Sequence, residues 1–178
     1  MKFIVACSLF LFSFLSTQVC AQQMKALEPD AAIVEAVKKD VWVPFMESYR
    51  DLDFSKLKSI HSSKVTRVSV DMNKINFGEP YLNEMGGFFK QIKQLNYQMQ
   101  ITFSIVSSAT TKDTVYQTGY YTIGLRKNDQ TPFQTRGYSS FSVLLTKENG
   151  KWKISFDADK KTNVTKEEFE KGVVYSLG

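Results

Sequence analysis

One histidine, His61, and a small set of aspartates and tyrosines are the residues whose side chains could carry out chemistry. A single histidine excludes a metal site built on several histidines. The sequence has no Cys-x-x-Cys, His-Glu-x-x-His or acidic calcium-loop pattern to replace such a site. No phosphate-binding glycine spacing surrounds Gly86-Gly87 either. We therefore expect no metal and no cofactor.

The acidic and aromatic candidates each have a structural interpretation. Asp157 alternates out of phase with Trp152, Ile154 and Phe156, which predicts a position facing solvent or the sheet edge, the alternative being a carboxylate in a pocket. His61 ends a predicted short helix, where its charge would interact favourably with the helix dipole. Tyrosines on strands usually form cross-strand pairs, although they could line a cavity. The tyrosines concerned are Tyr116, Tyr120, Tyr121 and Tyr138.

Three helices are predicted before the sheet. Apolar residues recur at three- and four-residue steps over 33–49, which predicts a first helix whose inward stripe includes Trp42 and Tyr49. Pro44 inside this helix predicts a kink. A short second helix is expected over 54–61 and a third over 78–96. The apolar residues of the third helix are expected to face inward, and they are Leu82, Met85, Phe88, Phe89, Ile92 and Leu95. The Gly86-Gly87 pair would either break the third helix or permit the close approach of another element.

The apolar period changes from helical to strand-like after the third helix. Alternate residues of the first strand after it are apolar and are expected to face inward, namely Tyr97, Met99, Ile101, Phe103 and Ile105. One strand is predicted earlier, over 64–71. Four more follow on short connections, and they span 97–105, 114–127, 133–147 and 151–159. Successive strands on short turns indicate an antiparallel meander.

Residues 1–21 are typical of a secretory signal peptide. An apolar run from Phe3 to Leu15 ends in a polar step and the small residue Ala21, so cleavage is expected between Ala21 and Gln22. The mature protein would then be periplasmic or secreted. The run is shorter than the roughly 20 residues that span a bilayer, so we expect no stable membrane insertion. Lipid attachment at Cys20 is a less favoured alternative because no small residue precedes this cysteine.

The composition is that of a globular chain, with 43% hydrophobic and 23% charged residues. The formal net charge of +5 comes from basic residues spread along the sequence, whereas a nucleic-acid surface needs them concentrated. We therefore expect no nucleic-acid partner. The chain divides into a signal peptide (1–21), a leader (22–30), one domain (31–160) and a tail with a short helix (161–178).

This order of elements resembles the nuclear transport factor 2-like fold. That fold is α+β, with a cone-shaped, strongly curved antiparallel sheet wrapped around three N-terminal helices. The segments that carry the similarity are "PFMESYRDLDFSKLKSIHSSKVTRVS", "FGEPYLNEM" and "ENGKWKISFDAD". The chain looks like an exported bacterial member of the polyketide-cyclase-like (SnoaL-like) group. The superfamily includes isomerases, dehydratases, cyclases and non-catalytic modules, so the resemblance specifies fold better than reaction.

The resemblance also implies site residues. An aspartate near the end of the first strand removes a proton in the steroid-isomerase branch, and Asp71 lies near that position. The tyrosine that donates to the enolate in that branch falls on Phe45, which has no donor, and Tyr49 follows one turn later. A histidine is the base in the dehydratase branch, a role that His61 would take. The expected cavity residues are Trp42, Phe45, Tyr49, Tyr81 and Phe89.

Two functions remain open. The first is a non-catalytic module that binds a small apolar or amphipathic ligand in the cone or takes part in protein association, favoured by the missing donor at Phe45 and by the absence of a cofactor motif. The second is a cofactor-free isomerase, dehydratase or cyclase in which Asp71, His61 and Tyr49 converge on the cavity.

The middle strands predict a homodimer. Tyr116 and Tyr120 lie on the face opposite Val115 and Tyr121, and in the next strand Tyr138 and Leu144 oppose the apolar set Phe141, Val143 and Leu145. Three helices can cover only the concave face, which leaves aromatic side chains on the outer face. Exposed apolar patches of this kind mark association surfaces. We therefore expect the protein to dimerise through the outer sheet face.

Overall fold

The computed structural model describes residues 28–177. The predicted signal peptide, its cleavage site and most of the leader lie outside these residues. The helices have the following bounds: α1 is Ala31–Val37, a π-helical turn is Lys38–Trp42, α2 is Val43–Asp51, α3 is Phe54–Ser59, α4 is Gly78–Gln94 and α5 is Lys166–Phe169. Within residues 28–177, no helix has the length and apolar character required to cross a membrane.

One sheet contains all the strands of the described chain. Their bounds are β1 His61–Ser69, β2 Lys74–Phe77, β3 Gln98–Thr110, β4 Thr114–Arg126, β5 Gln134–Glu148, β6 Lys151–Thr162 and β7 Val173–Tyr175. The order across the sheet is β2-β1-β6-β5-β4-β3-β7. Strands β3 to β6 form the expected antiparallel meander, and β1 joins β6 in parallel. The predicted α+β class is confirmed; the sequence did not predict β2 or β7.

The first helical segment accommodates Pro44 by a change of helix type. Asp30 caps α1 by accepting hydrogen bonds from the backbone N–H groups of Ala32 and Ile33. The π-helical turn then ends at Trp42, and Pro44 lies in the first turn of α2. A proline has no N–H to donate and its ring clashes with the carbonyl four residues back, so it is tolerated where the regular ladder is interrupted. The irregularity expected at Pro44 is this π-helical turn.

β-Bulges bend the meander and change which side chains face inward. Val106 on β3 and Ser155 on β6 are each unpaired in the register with the neighbouring strand. A bulge inserts one residue, increases the local twist and shifts the alternation beyond it. Asp157 consequently lies opposite Val143 on the concave face and is 8% exposed. The expectation that Asp157 faces solvent is therefore wrong, because simple alternation from Trp152 does not account for the bulge at Ser155.

The core lies between the helices and the concave face. Trp42 packs on the rings of Phe103 and Phe141 at centroid distances of 4.7 and 5.5 Å. Its indole N–H donates to the Oε1 atom of the buried Gln117 at 2.8 Å, so both polar groups are satisfied. The inward residues predicted for β3 are buried, namely Met99, Ile101, Phe103 and Ile105.

α4 continues through Gly86-Gly87 without a break. A Cβ atom at Gly86 would lie 3.2 Å from the ring of Phe54, whereas one at Gly87 would have no heavy atom within 4 Å. The sequence left open whether the glycines break the helix or permit a close approach, and the structure shows the close approach of Phe54 to Gly86. The helix ends near Leu95, which was expected to face inward but is 54% exposed.

We expect Gly87→Ala to raise the free energy of unfolding by up to about 1 kcal/mol, because alanine has the higher helix propensity and meets no neighbour. Gly86→Ala should give no such gain, since its Cβ contacts Phe54. Urea denaturation of both variants measures the difference. Equal stabilisation of the two would contradict the packing described here.

The C-terminal tail covers part of the outer sheet face. Phe169 of α5 is buried, its ring lies 5.1 Å from that of Tyr138, and its carbonyl accepts a hydrogen bond from Ser104 Oγ at 2.6 Å. β7 then pairs with β3 at the sheet edge. Elsewhere on the same outer face, Tyr116 is 42% exposed.

Candidate functional site

A cavity of about 60 Å³ lies between the helices and the concave face of the sheet. Four of the expected cavity residues line it, namely Trp42, Phe45, Tyr49 and Tyr81. The fifth, Phe89, does not; it packs behind Tyr49 with a ring distance of 5.1 Å. The remaining lining residues are Arg67, Met85, Ile101, Phe103, Tyr121, Phe141, Val143, Ile154, Asp157 and Asp159.

One wall of the cavity is ionic. The Nη1 atom of Arg67 lies 2.7 Å from Asp157 Oδ2, and its Nη2 atom lies 2.5 Å from Asp159 Oδ2. All three side chains are at most 15% exposed. We call these three residues the ionic cluster. Its geometry follows from the sheet, because Arg67 on β1 is the register partner of Asp157 on β6 and the bulge at Ser155 turns both aspartates inward.

Three tyrosine hydroxyls adjoin the ionic cluster from different elements. Tyr121 on β4 donates to Asp159 Oδ2 at 2.5 Å. Tyr49 on α2 and Tyr81 on α4 are each 6% exposed, and among residues 28–177 neither hydroxyl makes a hydrogen bond. The charges of Arg67 and Asp157 act on the Tyr49 hydroxyl, and Tyr81 and Tyr121 are also its neighbours. Two unpartnered hydroxyls therefore line the cavity beside the charged wall.

The environment shifts the protonation equilibria of this wall. Burial raises the pKa of Asp157 and the neighbouring Asp159 raises it further, while Arg67 opposes both effects. Burial acts to lower the pKa of Arg67, but the two carboxylates together raise it above its ordinary value. Burial also raises the pKa values of Tyr49, Tyr81 and Tyr121, so these tyrosines remain protonated donors near neutral pH. The wall thus combines a fixed cation, hydroxyl donors and a carboxyl group that retains its proton more readily than an exposed aspartate.

Asp71 lies outside the cavity. β1 ends at Ser69, and Asp71 belongs to a short 3₁₀ turn, Val70–Met72, on the surface. It is exposed, and its carboxylate accepts a hydrogen bond from the backbone N–H of Lys161 at 2.6 Å. Asp157 is the carboxylate that the structure places beside Tyr49.

His61 is buried beneath the cavity and does not line it. It is the first residue of β1 rather than the end of α3, and it is 2% exposed. Its Nδ1 atom donates to the carbonyl oxygen of Leu57 at 2.8 Å, and its Nε2 atom has no partner among the described residues. The rings of Phe45 and Tyr81 lie 6.0 and 5.9 Å away, and burial lowers the pKa of His61 to about 4. The expected convergence of Asp71, His61 and Tyr49 is not observed.

Sequence reasoning missed the ionic cluster. Arg67 was counted among dispersed surface charges, although strict alternation from the buried Val65 would have placed it on the inner face. No sequence pattern indicated that Asp159 faces inward, because the direction of its side chain depends on the bulge at Ser155. Within the described residues, no group of three or more histidine, cysteine, aspartate or glutamate side chains could hold a metal ion.

We expect Tyr121→Phe to destabilise the protein by about 1.5–3 kcal/mol, because it removes a hydrogen bond to a buried charged group. Tyr49→Phe should change stability by less than about 0.5 kcal/mol, since its hydroxyl has no partner among residues 28–177. Thermal and urea unfolding of the two variants provide the comparison. A larger loss for Tyr49→Phe would contradict this geometry.

No family model matches the sequence, and no curated protein matches it. Solved structures do match. Aln2 from a Streptomyces species is 12% identical with a TM-score of 0.64, covering 76% of this chain and 94% of its own. ActVI-ORFA from Streptomyces coelicolor is 9% identical with a TM-score of 0.61, covering 75% and 99%. A proposed dehydratase of the nuclear transport factor 2-like family from Streptomyces avermitilis is 16% identical with a TM-score of 0.58, covering 75% and 98%. At these identities the likeness concerns the fold, and it confirms the nuclear transport factor 2-like fold expected from the sequence.

Proposed function

We propose that the protein binds a small amphipathic molecule in the cone cavity, with the polar end of the molecule at the ionic cluster. The observation that carries this proposal is the position of the cluster on the wall of a cavity whose other lining side chains are aromatic or aliphatic. Ligand sites typically combine apolar walls with a few convergent polar groups. Burying charges is costly, and apolar side chains of similar volume often serve stability as well or better. A role in ligand binding accounts for the presence of the buried charges of the ionic cluster.

The volume of the cavity limits the ligand. Pockets for drug-sized ligands enclose roughly 300–1,000 Å³, and this cavity encloses about 60 Å³. The ligand is therefore a compact molecule of few non-hydrogen atoms. A larger one would require α4 to move, because Tyr81 and Met85 of that helix form part of the wall.

Native mass spectrometry of the purified protein tests the binding function. We expect a retained small molecule, or a ligand from a library of compact amphipathic compounds that raises the melting temperature. The triple variant Arg67→Gln/Asp157→Asn/Asp159→Asn should no longer bind this molecule. The control is Lys58→Gln/Glu79→Gln, which removes an exposed ion pair of 2.6 Å and should bind normally. Absence of binding to the wild-type protein by both methods would refute the proposal.

A second candidate is a cofactor-free enzyme that uses acid–base chemistry, and one observation favours it. Asp157 combines a raised pKa with the neighbouring donor Tyr49, and the two face the same cavity. Asp157 would transfer the proton and Tyr49 would stabilise the developing oxyanion. In that case Asp157→Asn should abolish turnover of the bound compound while leaving it bound. If the wild-type protein binds the compound and returns it chemically unchanged, the enzyme candidate is excluded and the binding function remains.

We also propose that the protein forms a homodimer through the outer sheet face. A shallow groove of about 470 Å³ crosses this face beside Tyr120, with the exposed apolar residues Val70 and Val106 at its rim. A two-fold pairing would bury the same patch of both copies. Sedimentation equilibrium should give a dimer for the wild-type protein and for Leu95→Lys, a change at the exposed residue that follows α4, but a monomer for Tyr120→Lys. A wild-type monomer at micromolar concentration, or a dimeric Tyr120→Lys, would exclude this interface.

Export after cleavage between Ala21 and Gln22 is likewise a proposal, supported by the order of charge, apolar run and small residue in the sequence. N-terminal sequencing of the mature protein should begin at Gln22. A lipid-bearing start at Cys20 would show that the protein is membrane-anchored instead.

A further inference from the structure

The ionic cluster carries more negative than positive charge. Arg67 supplies the cation, and Asp157 and Asp159 supply two carboxylates, so the fully ionised cluster has one excess negative charge. Asp159 also accepts the Tyr121 hydrogen bond, but a neutral hydroxyl does not cancel a charge. Because these three side chains are at most 15% exposed, an excess charge among them attracts an oppositely charged ligand more strongly than it would at the surface.

The only cation of the cluster is already engaged. One nitrogen of the Arg67 guanidinium faces Asp157 and the other terminal nitrogen faces Asp159, and the guanidinium also lies 5.8 Å from the ring centre of Tyr81. A carboxylate or phosphate ligand would have to displace one of these aspartates while facing the other. The cluster therefore disfavours an anionic ligand.

Aromatic rings form most of the remaining wall. Seven aromatic side chains line the cavity, and they are Trp42, Phe45, Tyr49, Tyr81, Phe103, Tyr121 and Phe141. The face of an aromatic ring attracts a cation, and the gain is largest where the cation is removed from water. Rings together with excess carboxylate charge match a cation that also has an apolar surface.

The two unpartnered hydroxyls are a second, independent sign of a ligand. Tyr49 and Tyr81 are more than nine-tenths buried, and within the described chain their hydroxyls have no hydrogen-bond partner. Buried polar groups are normally satisfied by protein, water or ligand. Because both residues line the cavity, a water or a ligand inside it can complete their hydrogen bonding.

We propose that the ligand of this cavity is a small organic cation of the alkylammonium type, held by Asp157 and Asp159 and by the aromatic wall. The inference rests on the binding function proposed above and names its ligand class. A volume of about 60 Å³ holds on the order of four waters by the criterion of roughly 15 Å³ each. That matches a methylated ammonium ion and excludes a long-chain amine.

Calorimetric titration with three compounds of similar shape tests the charge. Tetramethylammonium chloride is the cation, tert-butanol the neutral compound and sodium pivalate the anion, all at equal ionic strength set with sodium chloride. We expect tetramethylammonium to bind at least tenfold more tightly than tert-butanol, and pivalate not to bind. Equal binding of tert-butanol, preferential binding of pivalate, or displacement of tetramethylammonium by equimolar sodium would overturn the inference.

Variants locate the site. Asp157→Asn should weaken tetramethylammonium binding at least tenfold, and Asp71→Asn, which alters a carboxylate outside the cavity, should leave it unchanged. Asp159→Asn replaces the first variant if that one does not fold. Unchanged binding in the cluster variant would overturn the inference. If tert-butanol or pivalate binds instead and is lost in the triple cluster variant, the binding function stands and only the ligand class is wrong.

Discussion

Replacing Arg67 by methionine should lower the free energy of unfolding by about 3–5 kcal/mol, the cost of leaving buried charges without their partner. Asp157 and Asp159 both depend on the Arg67 guanidinium, at 2.7 and 2.5 Å. Without it, two carboxylates would face each other in a cavity with aromatic walls. Methionine preserves much of the length and the apolar stem of the side chain, so the loss measures charge rather than packing. Urea denaturation at neutral pH gives the value.

Two further variants make this measurement specific. Lys64→Met alters an exposed basic residue of the same strand and should change stability by less than about 0.5 kcal/mol. Arg67→Met/Asp157→Asn/Asp159→Asn removes all the ionic charges together and should recover most of the loss, because the penalty comes from unpaired charge. A cost below about 1 kcal/mol for Arg67→Met alone would mean that the two carboxylates are solvated.

Acidification from pH 7 to pH 4 should remove about 3 kcal/mol of stability through His61 alone, since each pKa unit corresponds to about 1.4 kcal/mol. Burial lowers the pKa of His61 in the folded protein to about 4, against 6.5 for the free side chain. Between these values the unfolded chain binds the proton and the folded chain does not. The contribution is therefore complete above pH 6.5 and is lost as the pH falls through this window.

The variant His61→Phe isolates this effect. Phenylalanine fills a similar volume between Phe45 and Tyr81 but cannot titrate. We expect the difference in unfolding free energy between pH 7 and pH 4 to be about 3 kcal/mol smaller in the variant, whatever its absolute stability. If the unfolding free energies of the two proteins fall equally between pH 7 and pH 4, His61 titrates normally and is not buried as described.

The periodicity of apolar residues along the chain correctly predicted which side chains of β3 and of the first helix face the core. β3 alternates regularly from Met99 to Ile105, and these inward residues are buried as expected, because no bulge interrupts the strand before Val106. The helical repeat likewise predicted that Trp42 and Tyr49 face inward. Both properties depend on neighbours within a few residues along the chain.

The ionic cluster depends on contacts that no local pattern contains. Arg67 meets Asp157 because β1 pairs in parallel with β6, far away in sequence. Both aspartates face inward only because Ser155 is unpaired opposite β5. His61 was expected at a helix end, but α3 stops at Ser59 and the sheet incorporates the histidine. Tertiary pairing overrode the local preference in each case.

The two edges of the sheet differ from its centre in a way that bears on aggregation. β2 has four residues and β7 has three, whereas the meander strands β3 to β6 have 12 to 15. Short edge strands offer few free backbone groups to another chain. β7 pairs with Phe103, Ser104 and Ile105 in the middle of β3, so the tail divides the free edge of this long strand into shorter stretches. Shorter stretches of unpaired backbone are poorer templates for an intermolecular sheet.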